Sequence, residues 1–130
     1  MVKIWTNGCF DILHRGHIEL FRHAKSLGGY LMVGIDSDQK VKRTKGIHRP
    51  INKQADRKVL LSAIRYIDEV VVYGTPGELA ENIKNYSPDI LVVGSDWEGK
   101  PIIGAEHAGT VEYFKRLDGY STTNIVGKLK

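Results

Sequence analysis

Short apolar segments alternate with amphipathic ones along this chain, and that alternation limits the possible folds more than any other feature. Residues 2–6 form a brief apolar run, and residues 16–27 place Leu20, Phe21, Ala24 and Leu27 on one helical face. Gly28-Gly29 supplies a helix stop. Residues 30–35 (YLMVGI) are almost wholly apolar, as in a strand covered on both faces. Residues 54–64 read as a helix from the spacing of Val59, Leu60, Ala63, Ile64 and Ile67, and residues 69–73 as a β-branched strand. Thr75-Pro76-Gly77-Glu78 combines a capping box with proline at the first helical position. It predicts a helix to about Tyr86, broken by Ser87-Pro88-Asp89. Residues 90–93 and 110–114 read as the last strands, with Ser121-Thr122-Thr123 capping a short final helix.

Strands separated by helices of this length predict an α/β fold: a Rossmann-like parallel sheet with right-handed crossovers and helices on both faces. The 130 residues suit one domain, 1–130, with no repeat or linker. Ligands of such sheets sit at the carboxyl ends of the strands. The loops to inspect are therefore 7–16, 36–52, 74, 94–104 and 116–123. No apolar run approaches the roughly 18 residues of a spanning helix, and a strand begins too early to leave room for a signal peptide. Cys9 is the one cysteine, so no internal disulfide is expected and a reducing cytoplasm is the natural setting.

The net charge of +4 is local. Residues 40–49 (KVKRTKGIHR) carry Lys40, Lys42, Arg43, Lys45 and Arg49 and no acid; the rest of the chain holds 14 basic and 15 acidic residues. One basic patch suits a polyphosphate or a nucleic-acid backbone, and equally a solvated loop.

The loop after the first strand runs Asn7-Gly8-Cys9-Phe10-Asp11-Ile12-Leu13-His14-Arg15-Gly16-His17. His14 and His17 are three apart at a helix start and can face one side. Gly16 leaves room for a ligand, and helix-start amides with the dipole favour an anion. Two imidazole donors strengthen a phosphate pocket. A zinc site from His14, His17 and Cys9 lacks a completing ligand cluster, so no protein-bound metal is expected. Cys9 beside Gly8 and Phe10 reads as a small buried thiol rather than a nucleophile.

Gly8-Cys9-Phe10-Asp11 with His14-Arg15-Gly16-His17 resembles the signature of the cytidylyltransferase-like nucleotidyltransferases, and Ser121-Thr122-Thr123 resembles their second signature. The resemblance covers nearly the whole chain. Two branches compete. Residues 6–13 (TNGCFDIL), Lys45-Gly46, Arg49-Pro50-Ile51-Asn52, Thr75-Pro76, Gly104-Ala105-Glu106 and Asp118-Gly119 resemble the nucleotidyltransferase that makes ADP-heptose from heptose 1-phosphate. Residues 64–70 (IRYIDEV), Asp96-Trp97-Glu98-Gly99-Lys100 and Arg116 before Gly119-Tyr120 resemble glycerol-3-phosphate cytidylyltransferase. Cys9, Val93 and Trp97 depart from one pattern or the other.

The resemblance implies transfer of a nucleotidyl group from an NTP, with its Mg²⁺, to a phosphorylated sugar or polyol, releasing pyrophosphate. It implies phosphate contacts for His14, His17, Lys42, Lys45 and Arg116, with both lysines on a loop that closes over the site. Nucleotide contacts fall to Gly8, Cys9, Phe10, Asp11, Gly16, Arg65, Gly94, Asp96, Trp97, Tyr120, Ser121, Thr122 and Thr123. Asp11 either orients a histidine or helps hold Mg²⁺, and Trp97 either stacks or packs. Asp38, Lys45 and Arg57 are the acceptor-binding candidates; Asp38 also reads as a turn cap and Arg57 as a surface helix residue. Arg65 reads equally as a structural partner of Asp68 or Glu69. A homodimer is implied, with neither nucleic acid nor membrane as partner. The rival of another class is a non-catalytic nucleotide- or nucleic-acid-binding module.

Overall fold

The computed structural model describes residues 1–115. The chain runs β1 (Lys3–Gly8), α1 (Arg15–Ser26), β2 (Tyr30–Asp36), α2 (Asp38–Lys45), α3 (Gln54–Ser62), β3 (Glu69–Tyr73), α4 (Pro76–Tyr86), β4 (Ile90–Gly94) and β5 (Thr110–Phe114). Short 3-10 turns at Ser95–Trp97 and Ala105–His107 lie between β4 and β5. The strands form one parallel sheet in the order β3-β2-β1-β4-β5. The order reverses direction between β1 and β4, which opens a crevice at their carboxyl ends. The Rossmann-like reading is thus met. Among the described residues no helix is long and apolar enough to cross a membrane.

Each face of the sheet has its own core. Ile4, Leu31, Val33, Ile35, Val70 and Val92 pack against Phe21 and Ala24 of α1 and Leu61 of α3. Trp5, Tyr73 and Leu91 pack against Leu79 and Ile83 of α4. Ile4 and Trp5 are neighbours in sequence and enter opposite cores, because successive strand side chains alternate. Trp5 needs the space beside Gly34, where a Cβ would come within 2.6 Å of its ring.

α2 is the element that the hydropathy pattern does not foretell. Ser37 caps it by accepting from the Lys40 amide at 3.2 Å, and Val41 is its one buried residue. A single apolar contact leaves no periodicity to read. Lys42 and Lys45 therefore stand on a helix, not on a loop. At the start of α4 only half of the expected capping box forms: Thr75 accepts from the Glu78 amide at 3.1 Å, but the Glu78 carboxylate takes the amide of Gly74, one residue before the cap, at 2.8 Å.

Two buried charges gather the loops at the carboxyl edge of the sheet. Arg57 in α3 is 0% exposed. Its Nη1 donates to the Cys9 carbonyl at 2.9 Å and the Asp36 carbonyl at 2.7 Å. Its Nε donates to the Asn52 carbonyl and its Nη2 to Asp38 Oδ1, each at 2.9 Å. The expectation of Arg57 on the helix surface or on substrate is thus corrected: its donors are turned inward to satisfy loop backbone. Asp38 is likewise committed, since Oδ1 also accepts from the Gln54 amide at 2.7 Å. It joins α2 to α3 and does not line the cleft.

Asp11 is 1% exposed. Its Oδ2 accepts from Arg49 Nε at 2.9 Å and the Ile51 amide at 2.8 Å, and its Oδ1 from the Asn52 amide at 2.7 Å. Burial alone would raise its carboxyl pKa, but those amides and the Arg49 guanidinium together hold it below the ordinary value. This corrects the expectation that Asp11 orients a histidine or holds Mg²⁺: its carboxylate ties the 49–52 loop to the first loop.

Removing Arg57 as Arg57→Met strands three buried carbonyls and is expected to cost about 3–5 kcal/mol, because one partner of a buried pair is lost. Arg57→Lys should recover little of this, lacking the planar fork. Denaturant midpoints read both changes. The Asp11 shift has a definite sign: a depressed carboxylate stabilises the fold above its unfolded pKa, and that contribution disappears as pH falls through the lower folded value. Thermal midpoints of the wild-type protein should therefore drop between about pH 4 and pH 2 more steeply than those of Asp11→Asn.

Candidate active site

The β1–β4 crevice opens into a cleft of about 460 Å³. Thr6, Asn7, Gly8, Cys9, Phe10, His14, Gly16 and His17 supply its β1 side. Asp36, Lys40, Lys45 and Tyr73 line it from β2, α2 and β3, and Gly94, Trp97, Ile102 and Ile103 from beyond β4.

His14 is the N-cap of α1. Its Nδ1 accepts from the Gly16 amide at 3.1 Å, and the His17 Nδ1 accepts in return from the His14 amide at 3.3 Å. Two histidines thus perform the reciprocal capping usually done by Ser/Thr and Glu. In a neutral ring an accepting Nδ1 carries no hydrogen, so the proton sits on Nε2. Both rings are thereby fixed as Nε2–H donors. They stack, with centroids 3.8 Å apart and planes 22° apart. The edge of Phe10 meets His17 at 5.2 Å and 87°, and Phe21 backs Phe10 at 5.1 Å.

The capping also revises the anion-binding expectation. The Gly16 amide is taken by His14, and the His17 amide by the His14 carbonyl at 3.0 Å. The Gly16 and His17 amides are therefore already engaged within the helix start. Phe10 has φ of 50°, a left-handed conformation that large side chains seldom adopt. Gly8 leaves room for the Phe10 ring, which would lie 3.0 Å from a Cβ there.

Lys45, Gly94 and Trp97 line the cleft, with Trp97 45% exposed. Lys42 is exposed on α2 and lies off the lining. Asp96 is exposed on the 3-10 turn beside Trp97. Arg65 is corrected: it sits before β3, at the amino edge of the sheet opposite the cleft, and donates to the Tyr66 hydroxyl at 3.1 Å. Asp68 pairs instead with Lys25 at 2.6 Å, and Glu69 accepts from Tyr30 at 3.0 Å. Arg116, Tyr120, Ser121, Thr122 and Thr123 lie outside the described residues.

Burial raises the Cys9 thiol above its ordinary pKa, against the pull of Lys45 and Arg57. A protonated thiol fits a lining role better than a nucleophile. Among the described residues, no three His, Cys, Asp or Glu side chains are grouped to hold a metal ion. The sequence pattern did not single out Asn7, Asp36 or Tyr73, and gave Lys40 only as one cation of the basic patch. Asn7, Asp36 and Tyr73 each sit at or next to the carboxyl end of a strand, and that position was the available signal.

Comparison with known proteins agrees with this geometry. The bifunctional protein HldE of Campylobacter fetus is 47% identical over 129 residues, which cover 98% of this chain and 28% of that protein. HldE of Helicobacter pylori is 46% identical, with 98% and 27% covered. The chain thus spans little more than a quarter of these relatives. A solved lipopolysaccharide core biosynthesis protein from Thermoplasma volcanium has a TM-score of 0.72 at 27% identity, covering 88% of this chain and 98% of its own. Pantothenate synthetase from Thermus thermophilus shares the fold, with a TM-score of 0.66 at 13% identity over 96% of this chain and 61% of its own. The cytidylyltransferase-like family matches residues 5–128, and the chain belongs to it.

Proposed function

We propose that the protein transfers a nucleotidyl group from an NTP to a phosphorylated sugar with release of pyrophosphate, and that ATP and heptose 1-phosphate are its substrates. The observation that carries this reading is the stacked histidine pair, held as two Nε2–H donors in a cleft at the β1–β4 switch point. The HldE relatives and the lipopolysaccharide core neighbour favour the ADP-heptose branch over glycerol 3-phosphate and CTP.

The chemistry follows from the residues present. A phosphomonoester has its second pKa near 6, so at neutral pH it is already largely a dianion. Its oxygen attacks the α-phosphorus in line, and the bond to the leaving pyrophosphate breaks. The attacking oxygen carries no proton, so no general base is needed. Catalysis rests on position and on charge. His14 and His17 donate to the α-phosphate as negative charge builds, and Lys45 faces the phosphates from α2. Ser121 to Thr123 and Arg116 complete the phosphate contacts in this reading. Mg²⁺ belongs to the substrate, carried by the triphosphate. Asp11 is fully occupied by Arg49 and two amides. A homodimer and a cytoplasmic setting belong to the same proposal, the latter supported by the single free Cys9.

Pyrophosphate release from a matrix of ATP, CTP, GTP and UTP against heptose 1-phosphate, glycerol 3-phosphate and other sugar phosphates tests the reading. ATP with heptose 1-phosphate should give the highest kcat/KM; CTP with glycerol 3-phosphate as the best pair would replace it with the alternative. His17→Ala should lower kcat about 10²–10³-fold, the scale of losing one transition-state donor. The lost cap should cost about 1 kcal/mol of stability, leaving the far-UV spectrum intact. Lys45→Ala should weaken substrate use about tenfold in kcat/KM without loss of fold, an effect that added salt diminishes.

A further inference from the structure

The cleft has two unlike halves, and the half over β2 and β3 carries a polar chain with a fixed direction. The Trp5 indole can only donate, and its Nε1 bonds Asn7 Oδ1 at 2.9 Å. That contact orients the Asn7 amide, whose Nδ2 donates to the Tyr73 hydroxyl oxygen at 3.2 Å. Tyr73 stands beside Asp36, its partner across the β2–β3 ladder, and Asp36 Oδ1 is buried with no hydrogen-bond partner among the described residues. Asp36 Oδ1 faces Lys40 Nζ at 3.3 Å. Asp36 is 6% exposed, and Asn7, Asp36, Lys40 and Tyr73 all line the cleft.

A carboxylate at this place is unwelcome to phosphate. Like charges brought together in a partly desolvated cleft cost free energy, and Lys40 offsets only part of it. The arrangement suits a neutral group that donates hydrogen bonds, and a polyhydroxylated acceptor offers several. The opposite half, with Gly94, Trp97, Ile102 and Ile103, carries no charged side chain among its described lining residues. It suits the flatter, more apolar part of a nucleotide.

We propose that Asp36, whose buried Oδ1 lines the cleft beside Tyr73 and is partly balanced by Lys40, accepts hydrogen bonds from acceptor hydroxyls and sets acceptor specificity. This rests on the nucleotidyl-transfer reading above and adds the subsite that distinguishes a sugar phosphate from a smaller or deoxygenated one. A site built to bond a hydroxyl discriminates strongly against an analogue that lacks it.

The test measures both Michaelis constants for wild type and Asp36→Asn, with circular dichroism and thermal midpoints as fold controls. Asp36→Asn should raise KM for the sugar phosphate about tenfold or more while KM for the NTP stays within about twofold. On the wild-type protein, acceptors missing single hydroxyls should lose kcat/KM. At the hydroxyl that Asp36 holds, Asp36→Asn should add no further loss, as expected when variant and substrate change remove one shared contact. An unchanged acceptor KM, or an effect on the NTP alone, overturns the inference while leaving nucleotidyl transfer standing. If Asp36→Asn does not fold, the deoxy series on wild type decides: undiminished kcat/KM with every analogue overturns it. A wild-type protein that releases pyrophosphate with no NTP and acceptor pair overturns both readings.

Discussion

A parallel sheet ends its strands in loops, and loops bring carbonyl groups that no neighbouring strand satisfies. Here one buried guanidinium answers that problem. Arg57 takes the carbonyls of Cys9, Asp36 and Asn52 and the carboxylate of Asp38, so one side chain fixes the exits of β1 and β2, the start of α2 and the 49–52 loop. A charge without water is tolerated only when its hydrogen-bonding capacity is met. The site is therefore rigid where the cation is satisfied. Asp11 and Arg49 repeat the device with the signs exchanged, and Asn52 connects the two, its carbonyl held by Arg57 and its amide by Asp11. The loops that lead into the helices bearing His14, His17 and Lys45 are held by charges turned away from the cleft.

The same economy appears at the head of α1. The hydrogen bonds that cap the helix are those that assign the imidazole protons. Ser or Thr in place of His14 would cap the helix as well, but its short hydroxyl would replace the Nε2–H that the ring carries on its far side. Fold stability and tautomer selection are one interaction here. A change at either ring is consequently read in both denaturation and turnover, and the two effects differ greatly in size.

Much of this was legible in the sequence, and the limits have physical causes. The strands and α1, α3 and α4 announce themselves because each buries a face, and burial imposes a period. α2 buries Val41 alone, so the cluster of cations around it reads as a loop. His14 and His17 were visible because two imidazoles and a glycine at a strand–helix junction have few structural reasons to occur together. Arg57, Asp11 and Asp38 were mistaken for ligands because charged side chains are usually exposed, and nothing in linear sequence shows that a loop's carbonyls will surround one of them. Arg65 was misplaced for a topological reason: a residue shortly before a strand lies at the amino edge, whatever its chemistry.

The basic stretch 40–49 shows why net charge alone assigns no partner. Arg43 is spent on the Gly74 carbonyl at 2.6 Å and Arg49 on Asp11, while Lys40 faces Asp36 at 3.3 Å. Among the described residues, Lys45 is the α2 cation that lines the cleft with no acid paired to it, and Lys42 is exposed off the lining. What reads in one dimension as a phosphate-binding run is in three dimensions split: Lys40 and Arg49 face acids, Arg43 a carbonyl, and only part of the charge is left for the cleft. Cleft potential is set by which of these charges an acid already balances. In the proposed reading phosphate is met by His14, His17 and Lys45 and kept from the Asp36 carboxylate, which Lys40 only partly balances. For the proposed reaction, a cleft polarised in this manner would orient an acceptor that is anionic at one end and hydroxylated at the other before any base-specific contact is made.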